Sequence, residues 1–158
     1  MFGKGVYLAD MSSKSANYCH SYSSKGTGLL LLCEAELGDP MLELTDSDYH
    51  AGENAKKKGS IATWGKGVTA PLAWKDAGCV HPSLKGIKMV SFSSFTLLPH
   101  PILNRDYHGG QETNVLKPDT TKAEPGPTNV PNAWLQYNEF ICYDVAQIRL
   151  RYLLRVKM

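Results

Sequence analysis

Apolar and basic residues alternate along IRLRYLLRVK near the C-terminus, with Leu153 the one exception. Ile148, Leu150, Tyr152, Leu154 and Val156 fall on one side of an extended chain, and Arg149, Arg151, Arg155 and Lys157 on the other. A period of two residues belongs to a strand with one face in a core, and it leaves a helix no continuous apolar stripe. A second segment, LLLLCEAELG from Leu29, starts as a continuous apolar run and passes into alternation. Leu29, Leu31, Cys33, Ala35 and Leu37 share one side, with Glu34 and Glu36 opposite, which predicts a strand buried at its start and half-exposed later. Met41 to Leu44 reads as a further strand after the Gly38-Asp39-Pro40 interruption. Glu139 to Val145 alternates as well, with Glu139, Ile141, Tyr143 and Val145 on one side and Phe140, Cys142 and Asp144 on the other. The framework is therefore built from strands.

The N-terminal stretch MFGKGVYLADMSSKSANYC has a different grammar. Two glycines flank Lys4 and lead into a short apolar run that holds Tyr7. Asp10, Ser12 and Ser13 are good helix N-cap residues, which predicts a helix over Lys14 to Cys19. Ser15 and Tyr18, three apart, then share a helix face, a hydroxyl beside a flat aromatic surface. Such a pair suits a planar ring bearing an amide, stacked on the tyrosine with its carboxamide bonded to the serine. Taken alone, the same residues read more simply as a strand, a capped helix and a surface tyrosine.

This stretch closely resembles the nicotinamide-binding segment of the poly(ADP-ribose) polymerase catalytic domain. There a glycine-lysine-glycine turn, a strand tyrosine and an SKSANYC helix occur together. LQYNEFICYD, which contains Glu139, resembles the catalytic glutamate strand of that family, and the Gly65-Lys66-Gly67 turn resembles its second glycine-lysine turn. The resemblance is strong over Met1 to about Leu44 and over Trp134 to Met158. It implies an α+β ADP-ribosyltransferase fold of two packed, mostly antiparallel β-sheets with few short helices. It also implies that NAD is the substrate, that Tyr7 and Tyr18 sandwich the nicotinamide ring, that Ser15 bonds its carboxamide and that Ala9 lines the pocket. Lys14 and Lys4 would lie near the reacting ribose and position the glutamate or the acceptor. Glu139 would accept a hydrogen bond from the ribose 2′-hydroxyl and stabilise an oxocarbenium-like transition state, the electrostatic logic of glycosidases. The proline-rich stretch before Glu139 corresponds to the loop that presents the acceptor.

The chain departs from the family pattern in two places. The family's signature histidine, on a strand upstream of the tyrosine strand, has no counterpart among His20, His50, His81, His100 and His108, so the expectation is a partial domain over residues 1–158 with N-terminal strands missing. A stretch from about 90 to 117 has no place in the family pattern either. It reads as an irregular insertion or a retained intron. Implied partners are protein acceptors among chromatin and repair proteins, including the chain itself, in the nucleus, with no DNA-binding module in this chain and no membrane. The competing reading is a catalytically incompetent fragment or non-catalytic binding module.

Bulk properties bound the rest. At 158 residues with 42% apolar and 20% charged content the chain fits one globular domain with a real core. A net charge of +2 does not by itself argue for nucleic acid. A third reading, a nucleic-acid-binding fragment, uses Lys56 to Lys58 and the basic C-terminal face, although a lysine run in a polar loop is ordinarily just solvated. The longest apolar run, Leu29 to Cys33, falls far short of a membrane span, and the N-terminus shows no secretory signal. Four scattered cysteines with no CxxC pair fit a reducing compartment. Cys79 and His81 lack the further ligands a zinc site needs. Between Val68 and Trp134, prolines are frequent and no periodicity is legible, which predicts loop.

Overall fold

A computed structural model describes residues 1–79, 81–90 and 125–158. The stretch expected as an insertion at about 90–117 lies almost wholly outside the described residues. The described chain is α+β, mostly strand with two short helices. It divides into two compact units, Met1–Ala70 with Gly126–Met158, and Pro71–Pro125.

The first unit holds a four-stranded sheet in the order β1 (Val6–Leu8), β10 (Glu139–Cys142), β4 (Ala62–Gly65), β3 (Leu42–Leu44). β1 and β4 flank β10 antiparallel, and β3 runs parallel to β4. The row Tyr7–Ile141–Thr63–Leu42 crosses the sheet on one face. Its last three members are buried together with Phe2, Ala51, Ala55 and Leu135. This cluster is the core, and the side chains of Leu44 and Tyr143 pack against it. Glu139 lies two residues before Ile141 on the same strand, so its side chain leaves toward the same face.

Two elements in the region read as a polar loop turn out to be regular. Helix α2 covers Ala51–Lys57, and β4 follows it. Ala51 and Ala55, four apart, are both fully buried, a one-residue-wide stripe too narrow to register as amphipathic periodicity. Asp48 starts the helix by accepting from His50 N at 2.9 Å and from Asn54 Nδ2 at 2.8 Å. Lys56 to Lys58 are exposed at its C-terminal end, where positive charge is favoured by the helix dipole.

β5 (Gly67–Pro71) pairs in parallel with β9 (Leu135–Tyr137), and β8 (Pro125–Pro127) borders β5 on its other side. The stretch expected to be element-free therefore contains strands held by backbone pairing without side-chain alternation. Gly67 is required here: a Cβ would stand 2.3 Å from the Tyr137 carbonyl carbon and 2.6 Å from Asn138 N.

β2 (Thr27–Ala35) and β11 (Ile148–Lys157) form an antiparallel two-stranded ribbon. Leu150 faces Cys33, but Tyr152 faces Leu32, so one extra residue sits in β11. That β-bulge inverts the second half of the strand. Ile148 and Leu150 lie on the side of Ala35 and Cys33, whereas Tyr152, Leu154 and Val156 lie on the side of Leu32, Leu30 and Gly28. The uninterrupted apolar face expected from alternation is thus split between two sides, and Leu153 joins the Leu31 side. Arg151 turns to Glu34, donating from Nε to Oε2 at 2.8 Å. The start of β2 is also more open than expected: Leu29 and Leu31 are 59% and 61% exposed, because a two-stranded ribbon has no third strand or facing layer of described residues above that side.

β10 stops at Cys142, earlier than the expected Val145. Asp144 accepts from Ala146 N at 2.8 Å while Gln147 Oε1 accepts from Asp144 N at 2.9 Å, a capping box that opens a 3₁₀ turn over Val145–Gln147 and turns Val145 out to solvent.

In the second unit β6 (Trp74–Asp76) pairs antiparallel with β7 (Lys88–Val90). Asp76 gathers the connecting turns by accepting from Gly78 N at 2.6 Å and Gly86 N at 2.7 Å. His81 caps the 3₁₀ turn Pro82–Leu84 through Nδ1, which accepts from Ser83 N. Among the described residues no helix is long and apolar enough to cross a membrane.

Candidate active site

Glu139 opens β10 and is 3% exposed. A carboxylate so deeply placed needs a partner, since an isolated buried charge is costly. The partner is Lys14, whose Nζ lies 2.5 Å from Oε1. Oε2 is buried and has no protein partner among the described residues. One carboxylate oxygen is therefore engaged by the ammonium, and the other is left as an unused acceptor.

Lys14 comes from helix α1 (Ser12–Ala16). The helix is shorter than the expected Lys14 to Cys19, and its N-cap position is Met11, with no side-chain cap. None of Asp10, Ser12 and Ser13 caps it. Asp10 lies one residue too early and spends its side chain elsewhere. The chain leaves the helix through turns in which Ser15 O accepts from Tyr18 N at 3.1 Å and Ala16 O accepts from Cys19 N at 3.0 Å. Ser15 is half-buried and Tyr18 is 72% exposed, so the hydroxyl and the ring are carried by the same short segment as Lys14.

Tyr7 lies on β1 directly opposite Ile141, on the sheet face that Glu139 shares. Its hydroxyl accepts from Phe2 N at 2.9 Å and donates to Gly3 O at 2.8 Å, which pins the ring against the glycine-lysine turn and leaves it 40% exposed. Ala9 is half-buried where the chain passes from β1 toward α1. Lys4 is exposed in the loop ahead of β1 and pairs with no carboxylate among the described residues. The structure thus brings Lys14 to Glu139, places Ser15 and Tyr18 on the Lys14 segment and Tyr7 on the neighbouring strand, and does not bring Lys4 to Glu139.

Two residues that sequence reasoning passed over complete the site. Asn138 is 4% exposed, donates through Nδ2 to Asp10 Oδ2 at 2.8 Å, and accepts from Gly67 N through Oδ1 at 2.9 Å. Burial pushes the Asp10 carboxyl up from its ordinary value, against the opposing pull of the Asn138 bond and the Lys14 charge. Asp10 Oδ1, like Glu139 Oε2, is buried without a partner among the described residues. The available signal was adjacency alone, an amide next to the candidate glutamate and a carboxyl four residues before the candidate lysine.

A buried carboxylate at a strand start is thus paired with a lysine from a short helix that follows the neighbouring strand. The family described as Poly(ADP-ribose) polymerase catalytic domain matches residues 1–100. Poly [ADP-ribose] polymerase 2 of Arabidopsis thaliana is 39% identical over 157 residues, covering 99% of this chain and 19% of the relative. Poly [ADP-ribose] polymerase 2 of Homo sapiens is 39% identical, covering 99% of this chain and 21% of the relative. Poly [ADP-ribose] polymerase 1 of Gallus gallus is 36% identical, covering 99% and 12%. The chain belongs to the poly(ADP-ribose) polymerase catalytic domain family. It spans about a fifth or less of the length of these curated relatives.

Proposed function

We propose that the chain carries the glutamate and the nicotinamide-binding half of an NAD⁺ ADP-ribosyltransferase site that transfers ADP-ribose to protein acceptors and extends poly(ADP-ribose) chains. The observation that supports this reading is the Glu139 carboxylate, buried, paired with Lys14 through one oxygen and left with one unused acceptor oxygen. A ribose hydroxyl is a donor of the right kind for that oxygen. In the proposed reaction the bond between ribose C1′ and the nicotinamide nitrogen breaks, and nicotinamide leaves with the electron pair. The acceptor nucleophile then bonds to C1′ and releases its proton. Positive charge developing on the ribose is stabilised by a carboxylate fixed in a dry site, where it acts more strongly than in water. Lys14 holds Glu139 in orientation. Ser15 and the rings of Tyr7 and Tyr18 would hold the nicotinamide, with Ala9 at the pocket wall. Acceptors among chromatin and repair proteins, automodification and a nuclear location belong to the same proposal.

The test is nicotinamide release from NAD⁺ by the purified chain beside Glu139→Gln. The expected result is a loss of about 100-fold or more, the scale for removing one preorganised transition-state contact. Equal release from both overturns the reading. Absence of release from either supports the second reading, a catalytically incompetent fragment or non-catalytic binding module. Benzamide binding measured by calorimetry, and its loss in Ser15→Ala, reads the nicotinamide pocket without requiring turnover.

A further inference from the structure

We infer that Asn138 and Asp10 are positioning residues, whose side-chain bond anchors the start of helix α1 to the strand that carries Glu139 and so sets the contact between Lys14 and Glu139.

α1 is five residues long, and its N-cap position is occupied by Met11, whose backbone carbonyl accepts from Lys14 N at 3.1 Å but whose side chain has no oxygen to offer the other first-turn N–H groups. A helix this short is not held in place by its own hydrogen bonds. Lys14, on a flexible four-carbon stem, nevertheless places its ammonium 2.5 Å from a carboxylate that is 3% exposed. Something outside the helix must fix where it begins. Asp10 is of the residue type that caps helices, but its carboxylate instead accepts from Asn138 Nδ2 at 2.8 Å. Asp10 stands two residues before Ser12, the first helical residue, and Lys14 is the third residue of the helix, so fixing Asp10 fixes where the segment that carries the lysine begins.

Asn138 is itself immobilised. It immediately precedes Glu139, is 4% exposed, and uses its amide oxygen to accept from Gly67 N at 2.9 Å. That bond is possible because Gly67 has no Cβ; one would lie within 2.6 Å of the Tyr137 and Asn138 backbone. One carboxamide therefore joins three parts of the chain, the β4–β5 turn, the start of β10 and the β1–α1 junction. Deleting it releases the helix origin without touching Lys14 or Glu139.

The catalytic consequence rests on the reading of Glu139 as the ribose-facing carboxylate, so the experiment separates the two. The coupling between Lys14 and Glu139 is measured in the whole chain by a double-mutant cycle, Lys14→Met with Glu139→Gln, from urea unfolding. It is expressed as a ratio of unfolding constants and repeated in Asn138→Ala, Asp10→Ala and Asp10→Asn backgrounds. The expected result is a ratio reduced about fivefold or more in Asn138→Ala and Asp10→Ala. It is retained within about twofold in Asp10→Asn, whose amide oxygen accepts the same bond. If Asn138→Ala does not fold, the pair Asp10→Ala and Asp10→Asn carries the comparison alone. A ratio unchanged in every background that folds overturns the inference, whether or not the chain releases nicotinamide. Where it does, Asn138→Ala lowers kcat and leaves KM for NAD⁺ within about twofold, since the proposed defect lies in transition-state stabilisation. A change confined to KM also overturns it.

Discussion

Lys14 Nζ and Glu139 Oε1 meet at 2.5 Å, joining a helix close to the N-terminus to a strand close to the C-terminus through a contact almost closed to solvent. The two partners are not equivalent. Glu139 is 3% exposed, whereas the lysine side chain retains 16% exposure and has a long stem that can swing toward water.

Removing one or the other should therefore cost different amounts. Lys14→Met strands a buried carboxylate and is expected to destabilise the chain by about 3 kcal/mol, the scale for breaking a buried pair. Glu139→Gln leaves a cation that can reach solvent, and it is expected to cost about 1 kcal/mol. Urea midpoints at neutral pH check the order, and a larger loss in Glu139→Gln would contradict this account.

Asp10 gives a pH signature with a definite sign. Its carboxyl is raised in the folded chain, first by burial, so folding favours the protonated form. The stability linked to this residue is fully present below its unfolded value of 3.8 and is lost as pH rises through the folded value. Asp10→Asn removes that titration. Relative to the variant, the wild-type urea midpoint is expected to fall as pH rises above 3.8, and a rise instead would show that the Lys14 charge outweighs burial.

Leucine is not interior everywhere in this chain. Leu31 and Leu153 face each other across the ribbon and are each 61% exposed, so Leu31→Thr is expected to change stability by less than about 0.5 kcal/mol. Ile141 is fully buried between β1 and β4, and Ile141→Ala is expected to cost about 3 kcal/mol. Chemical denaturation of both variants measures the contrast. A loss above about 1.5 kcal/mol for Leu31→Thr would show that the ribbon face is covered in solution.

The cysteines should separate by reactivity. Cys142 is fully buried, and burial pushes its thiol up from its ordinary range, whereas Cys79 is exposed. A thiol-specific disulfide reagent at neutral pH should modify Cys79 first and reach Cys142 only on unfolding. Mass mapping of the labelled peptides reads the order directly. Modification of Cys142 in the native chain at the rate of Cys79 would contradict its burial.

Strand alternation was enough to place β2, β10 and β11, because side-chain period is a local property of an extended chain. Local sequence could not show the bulge between Leu150 and Tyr152, since an extra residue has meaning only against the partner strand, more than a hundred positions away. Helix α2 escaped for a related reason: its buried stripe is two alanines, and alanine becomes a core residue only once the rest of the core is assembled around it. The candidate residues were legible one at a time: a glutamate at a strand start, a serine and tyrosine three apart, a lysine between two serines. What tertiary structure alone decided was their company. It gave Lys14 to Glu139 and left Lys4 in solvent, took Asp10 from helix capping to bind Asn138, and tied that amide to Gly67. Those assignments follow from burial, because a carboxylate or carboxamide removed from water must find its partner wherever the folded chain brings a donor, however distant in sequence.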